Sequence, residues 1–121
     1  MAISSLPIAV WIGLILTPVT ISIGQILFKL VSGEITEFSI AAVARLALDP
    51  MFILAISIYA AATILWIFVL RAVPLSIAYS FMGITYITVP VLSALFLNEA
   101  LSLRSFIGAA LIIGGVLVVN S

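Results

Sequence analysis

The chain has 121 residues, of which 66% are hydrophobic and only 7% charged, with no net charge and a mean hydropathy of +1.54. A soluble domain carries about 25% Asp, Glu, Lys and Arg, and so small a fold cannot hide this much apolar surface from water, so lipid is the solvent that fits. The balanced charge offers no attraction for nucleic acid, and the lack of Cys and His removes disulfides, thiol nucleophiles, imidazole bases and the usual zinc or copper ligands.

Met1 to Pro7 holds no Lys or Arg, and the apolar run behind it is too long for a signal-peptide core, so it reads as a first span rather than a leader. That run, Leu6 to Phe28, is uncharged. At about 1.5 Å per residue it reaches roughly 34 Å, enough to cross a bilayer with some tilt. The second span, Pro50 to Leu70, opens with Asp49 placed to cap free amides and Pro50 in the first turn, where no donor is needed. Pro74 to Leu97 is the third, closed by Asn98-Glu99. Ser102 caps a fourth that runs to about Val119, with Arg104 in its first turn. Unpaired backbone groups are excluded from lipid, and continuous apolar runs are helices rather than barrel strands. The expected fold is an all-α membrane protein. It has a single domain over 1–121, a four-transmembrane-helix bundle with approximate spans 6–28, 50–70, 74–97 and 102–119.

Arg71-Ala72-Val73 and Asn98 to Leu101 are tight turns, which makes helices two, three and four antiparallel to their sequence neighbours. Val31 to Asp49 is longer and, with Lys29 at its edge, gathers five of the eight charges. Ile35, Phe38, Ala42 and Leu46 fall there at helical spacing and predict a short interfacial helix. An even helix count sets Lys29, Arg45 and Arg104 opposite Arg71. The positive-inside rule then turns the first group to the cytoplasm, with both termini outside.

Polar residues within apolar spans are the informative ones, because each is costly in lipid without a partner. Ser22, Gln25 and Lys29 fall at i, i+3 and i+7, on one helical face. One reading has Lys29 snorkelling to headgroups and Gln25 joining helices; the other has the stripe lining a cavity whose cation attracts a phosphate. On helix three, Ser76, Tyr79, Ser80, Gly83, Tyr86 and Pro90 recur at spacings of three and four. The small members suit close packing, whereas two tyrosines inside the span point to a pathway. Pro90 predicts a bend. Helix two offers Ser57, Tyr59 and Trp66, the last an interfacial anchor unless it faces the bundle. Helix four presents Gly108, Ala110, Gly114 and Gly115 as a packing surface, within the chain or between two chains.

Gly24-Gln25-x-x-x-Lys29, Leu65-Trp66 leading to Leu70-Arg71, Val73-Pro74-Leu75-Ser76-Ile77-Ala78-Tyr79, Asn98-Glu99 and Ile112-Ile113-Gly114-Gly115-Val116 occur in this order over most of the chain. In these motifs the chain resembles the drug/metabolite transporter superfamily, of the small-multidrug-resistance and EamA-like type. Within it the chain is most similar to the subunits of the flippase that moves aminoarabinose linked to undecaprenyl phosphate. Proton-coupled multidrug members carry a glutamate where this chain has Ile21, so drug antiport by that route is not expected.

The resemblance implies a homodimer, or a heterodimer with a similar small subunit, in the cytoplasmic (inner) membrane. It moves a polyprenyl-phosphate-linked sugar without cofactor or metal. Lys29 and Arg71 would attract the phosphate. Ser22, Gln25, Tyr79, Ser80 and Tyr86 would bond the headgroup, with Trp66 and Glu99 beside the path, Glu99 either in an ion pair or on an amino-sugar. Transport of small soluble metabolites or cationic drugs, and a non-transporting accessory role, stand as alternatives. Enzyme activity is not expected, since no nucleophile can be placed beside a base.

Overall fold

The computed structural model describes residues 5–121; Met1 to Ser4, part of the stretch read as lacking a leader's charges, lie outside the described residues. The elements are α1 (Ile8–Ser32), α2 (Ile40–Leu48), α3 (Pro50–Leu70), α4 (Leu75–Ser80), a 3-10 turn (Phe81–Ile84) running straight into α5 (Thr85–Phe96), and α6 (Leu103–Val119). Among the described residues every regular element is helical.

Helix α1 starts after Pro7, whose carbonyl accepts from the amides of Val10 (3.0 Å) and Trp11 (3.3 Å). It continues to Ser32, beyond the expected end at Phe28. Lys29 does not stop it, because a cation in the last turn opposes the negative end of the helix dipole. The Ser32 hydroxyl closes the end by donating to the Lys29 carbonyl at 2.6 Å. Helix α3 has the expected bounds: Asp49 accepts from the amides of Met51 (2.8 Å) and Phe52 (3.4 Å), with Pro50 in the first turn.

The linking segment forms α2, capped by Ser39, which accepts from the Ala42 amide at 3.1 Å. Only its Ala42–Leu46 edge is turned inward; Ile35 and Phe38 precede the helix, and Phe38 is 97% exposed.

Asp49 also meets Glu34 across this link. The hydrogen bond to Glu34, then those from the Met51 and Phe52 amides, hold the Asp49 carboxyl below its usual range, while the same contact and the Asp49 charge push Glu34 up. Stability contributed by Asp49 is therefore present above its ordinary pKa and lost as pH falls through the lowered folded value. The Glu34 contribution has the opposite sign, present below its ordinary pKa and lost as pH rises through the raised one. Asp49→Ala is expected to lower the melting temperature in detergent by a few degrees at neutral pH, with the difference from wild type vanishing in strong acid. A flat difference across that titration would deny Asp49 its capping role.

The core is the buried cluster Leu14, Val69, Val73 and Ala78, flanked by Trp11, Trp66 and Phe81. Trp11 meets Phe81 edge-on at 5.9 Å. Helix α1 is central and packs on α3 and α5. Gly13 faces Val69, Gly24 faces Tyr59 and Phe28 faces Phe52, so α1 and α3 run antiparallel. Trp11 beside Phe81 and Ser22 beside Thr88 make α1 parallel to the α4–α5 stretch. This frame puts Lys29 and Arg71 at opposite ends of the bundle.

Among the described residues, three helical stretches are long and apolar enough to cross a membrane: Ile8–Ser32, Pro50–Leu70 and Leu75–Phe96. Helix α6 differs from the expected fourth span. Its 17 residues rise about 25 Å, short of a hydrocarbon core of roughly 30 Å. It is peripheral, with no fully buried residue, and Leu111 and Val118 are each 73% exposed.

Helix three departs from α geometry at Phe81–Ile84, and Pro90 lies further on, within α5. Gly83 lies on this turn, and a Cβ there would come within 2.9 Å of Val116 Cγ2, so α6 approaches closely at this point.

Candidate functional site

Polar side chains converge where α1, α3 and α5 meet. Gly24 makes room for an aromatic ring, since a Cβ on it would lie 2.5 and 2.6 Å from Tyr59 Cε2 and Cδ2. Phe28, one turn on, packs against the same ring with centroids 5.1 Å apart. Seated between them, the Tyr59 hydroxyl accepts a hydrogen bond from Gln25 Nε2. The pair keeps Gln25 on the wall of an open recess of about 300 Å³, lined also by Ile21, Thr85, Tyr86, Val89 and Pro90. Tyr59 is the residue the sequence did not single out as a partner for Gln25. Its signal is Gly24, a glycine beside a glutamine in an apolar helix, which marks a bulky neighbour.

The recess adjoins two others around Pro90. A groove of about 460 Å³ between α5 and α6 is lined almost wholly by hydrocarbon, including Ile87, Val91, Phe106, Ile113 and Leu117, with Tyr86 at its edge. A recess of about 260 Å³ joins Val89 and Pro90 to Ser93, Glu99 and Ser105. Glu99 stands there because Asn98 takes a left-handed conformation (φ 56°), which asparagine tolerates better than most residues. The amides of Leu97 and Glu99 both return to the Ser93 carbonyl, at 2.9 and 3.3 Å.

The two expected stripes are divided. Tyr86 and Gln25 share the recess, and Lys29 is exposed one turn further along α1, about 6 Å in rise from Gln25. Ser22 does not line it. Ser22 is fully buried, donates to the Pro18 carbonyl at 2.8 Å and pairs with the Thr88 hydroxyl, so it ties α1 to α5. Ser80 likewise serves packing: it donates to the Ile77 carbonyl at 2.6 Å and accepts from Asn120 Nδ2 at 2.9 Å, fastening the end of α6. Trp66 is partly buried and packs against the bundle core. Tyr79 and Arg71 are exposed at the other end, apart from Lys29. Gly108, Gly114 and Gly115 face open space, with nothing within 4 Å of a Cβ placed on them. Their small surface therefore serves no packing inside the chain.

Among curated proteins, the chain is 35% identical over 68 residues to a probable 4-amino-4-deoxy-L-arabinose-phosphoundecaprenol flippase subunit ArnE of Escherichia coli, covering 56% of this chain and 61% of the relative. It is 37% identical over 81 residues to a probable subunit ArnF of the same type of flippase from Pseudomonas syringae pv. syringae, covering 64% of this chain and 56% of the relative. The chain is similar to aminoarabinose-lipid flippase subunits. The similarity bears out the family resemblance carried by the motifs, over about three-fifths of these relatives' length. No family model matches the chain, and no solved structure matches it. Long apolar helices together with flippase-subunit relatives make this a multi-pass membrane protein.

Proposed function

We propose that the chain is one subunit of a flippase that moves a polyprenyl-phosphate-linked sugar across the cytoplasmic membrane. The observation that carries this reading is the junction at Tyr86. A recess that carries Gln25, Thr85 and Tyr86 shares Tyr86 and Pro90 there with an apolar groove between α5 and α6. A molecule with a polar head and a long hydrocarbon tail fits both surfaces at once, whereas a soluble metabolite would leave the groove unused. The relatives' names, which specify 4-amino-4-deoxy-L-arabinose on phosphoundecaprenol, support a substrate of that class.

In this reading α6 is the fourth span, completed by its flanking residues, and both termini face outward. The open face at Gly108 and Gly115 receives a second subunit, identical or similar, while Ala110 and Gly114 lie on the groove side and meet the lipid tail. Lys29 draws the phosphate to the mouth of the recess, and Gln25 and Tyr86 hold the sugar. Arg71, at the far end, is the phosphate's partner on release, with Tyr79 beside that exit. Glu99 faces the sugar from the third recess. With no carboxylate or imidazole inside the spans, the chain couples to no proton flow and performs no covalent chemistry.

Native mass spectrometry from mild detergent tests the reading. Undecaprenyl phosphate and its amino-sugar form are expected to be retained in preference to bulk phospholipid. Lys29→Ala is expected to weaken that retention about tenfold, as loss of one charge-assisted contact does. Retention indifferent to the polyprenyl chain would sink the flippase assignment. Full retention by Lys29→Ala would remove the phosphate role given to that residue.

A further inference from the structure

We propose that α1 bends at Pro18, and that Thr17 is the switch of this hinge, its hydroxyl bonded only in the bent state. The inference goes beyond the flippase reading, since it holds whatever the cargo is.

Thr17 is fully buried in the middle of α1, and its hydroxyl has no hydrogen-bond partner among the described residues. It lies one turn after Gly13, on the face that meets α3. A buried hydroxyl left unpaired is costly and calls for a reason. The same helix shows the usual remedy close by: Thr20 and Ser22 each donate to the carbonyl four residues back, Leu16 and Pro18, at 2.8 Å. Thr17 has the Gly13 carbonyl at that spacing and does not take it. The Leu14 carbonyl, three residues back, is a second acceptor, because Pro18 has no N–H to give it. Threonine reaches either carbonyl by a turn about χ1. Enclosed as it is, the side chain cannot turn until α1 shifts.

The place for that shift is marked twice. Pro18 interrupts the hydrogen-bond ladder of α1, and the turn Phe81–Ile84 interrupts the parallel α4–α5 stretch. Both breaks fall within the stretch bounded by the same two contacts, Trp11 with Phe81 and Ser22 with Thr88. A 3-10 turn inside a long helix often marks a hinge, and proline is a common cause of a kink. Beyond the breaks, the Ser22–Thr88 bond joins the second half of α1 to α5, so the two swing as one piece. That piece carries Gln25 and Tyr86, whereas Gly13 against Val69 holds the first half of α1 to α3. Leu95 lies about 16 Å past the break in its stretch, and a kink of roughly 20° displaces it by about 6 Å.

The test is the distance between spin labels at Ile53→Cys on α3 and Leu95→Cys on α5, two exposed positions at the same end of the bundle in a chain without cysteine. Pulsed EPR on the protein in lipid nanodiscs is expected to show a second distance about 6 Å from the main one. Thr17→Val, which keeps the shape and removes the hydroxyl, is expected to cut that second population about fivefold. It is also expected to raise the melting temperature by a few degrees, because the unbent state loses an unpaired group. Pro18→Ala, which restores the missing N–H, is the second variant and is expected to leave one distance. A single distance in the wild type overturns the inference, as does a second one that both substitutions leave in place. A lower or unchanged melting temperature in Thr17→Val does the same, since the hydroxyl then has a partner. None of these results bears on the flippase reading, which lipid retention decides separately.

Discussion

Gly24→Val is expected to destabilise the fold by about 2–3 kcal/mol and to abolish selective lipid retention. Even a methyl at this position would come within 2.6 Å of two Tyr59 ring carbons, and valine adds two more branches toward the same ring. The ring cannot retreat freely, because Phe28 is stacked upon it and Phe28 in turn touches Phe52, with centroids 6.2 Å apart. The helices must separate or Tyr59 must leave its seat, and either outcome frees Gln25. Gly33→Ala is the matched control, since its added Cβ would meet only the Leu30 carbonyl oxygen at 3.5 Å. Thermal unfolding in detergent and lipid retention by mass spectrometry read the two effects separately. Wild-type melting in Gly24→Val would show that α1 and α3 do not approach as described.

Gly83→Leu is expected to cost about 2 kcal/mol and to lift α6 from the bundle. A Cβ on Gly83 would lie 2.9 Å from Val116 Cγ2 and 3.3 Å from Ile112 Cγ2, and α6 has little else to hold it. The bond from Asn120 to Ser80 is its other named attachment, and none of its residues is fully buried. The chain contains no cysteine, so Ser80→Cys with Asn120→Cys reports the position of α6 without background. The engineered pair is expected to cross-link readily in an otherwise wild-type chain and at least fivefold less in Gly83→Leu, as a shift of a few ångströms exceeds disulfide reach. Equal cross-linking would mean that α6 is seated by contacts other than Gly83.

The parts of the fold legible in the sequence are those set by local chemistry. Asp49 and Pro50 define the start of α3, and Ser102 that of α6, because a cap acts within a few residues of itself. The end of α1 was harder, because a lysine ends an apolar run but not a helix. The irregular turn at Phe81–Ile84 was not legible at all. Gly83 sits there under α6, a contact that local rules do not show, whereas those rules favour the proline further on. The site divides in the same way. Gln25 and Tyr86 stand out as polar groups in apolar spans, and they do share a recess. Ser22 and Ser80 gave the same signal yet are occupied with Thr88 and Asn120, since a serine in lipid is equally suited to ligand or to neighbour. Tyr59 lies on another helix, and only the fold brings it to Gln25.

The membrane-crossing stretches carry no acidic residue, and the cations stand at their ends, so the chain itself holds almost no charge that a membrane voltage could pull on. Under the proposed function the electric field then acts on the cargo alone. A bare polyprenyl phosphate crossing the membrane exchanges work with the field, about 2.3 kcal/mol per elementary charge for each 100 mV. An amino-sugar that balances its own phosphate crosses as a neutral dipole and exchanges almost none. Voltage-clamped vesicles should therefore separate the two lipids by the potential dependence of their flipping, with the protein acting as an electrically silent frame.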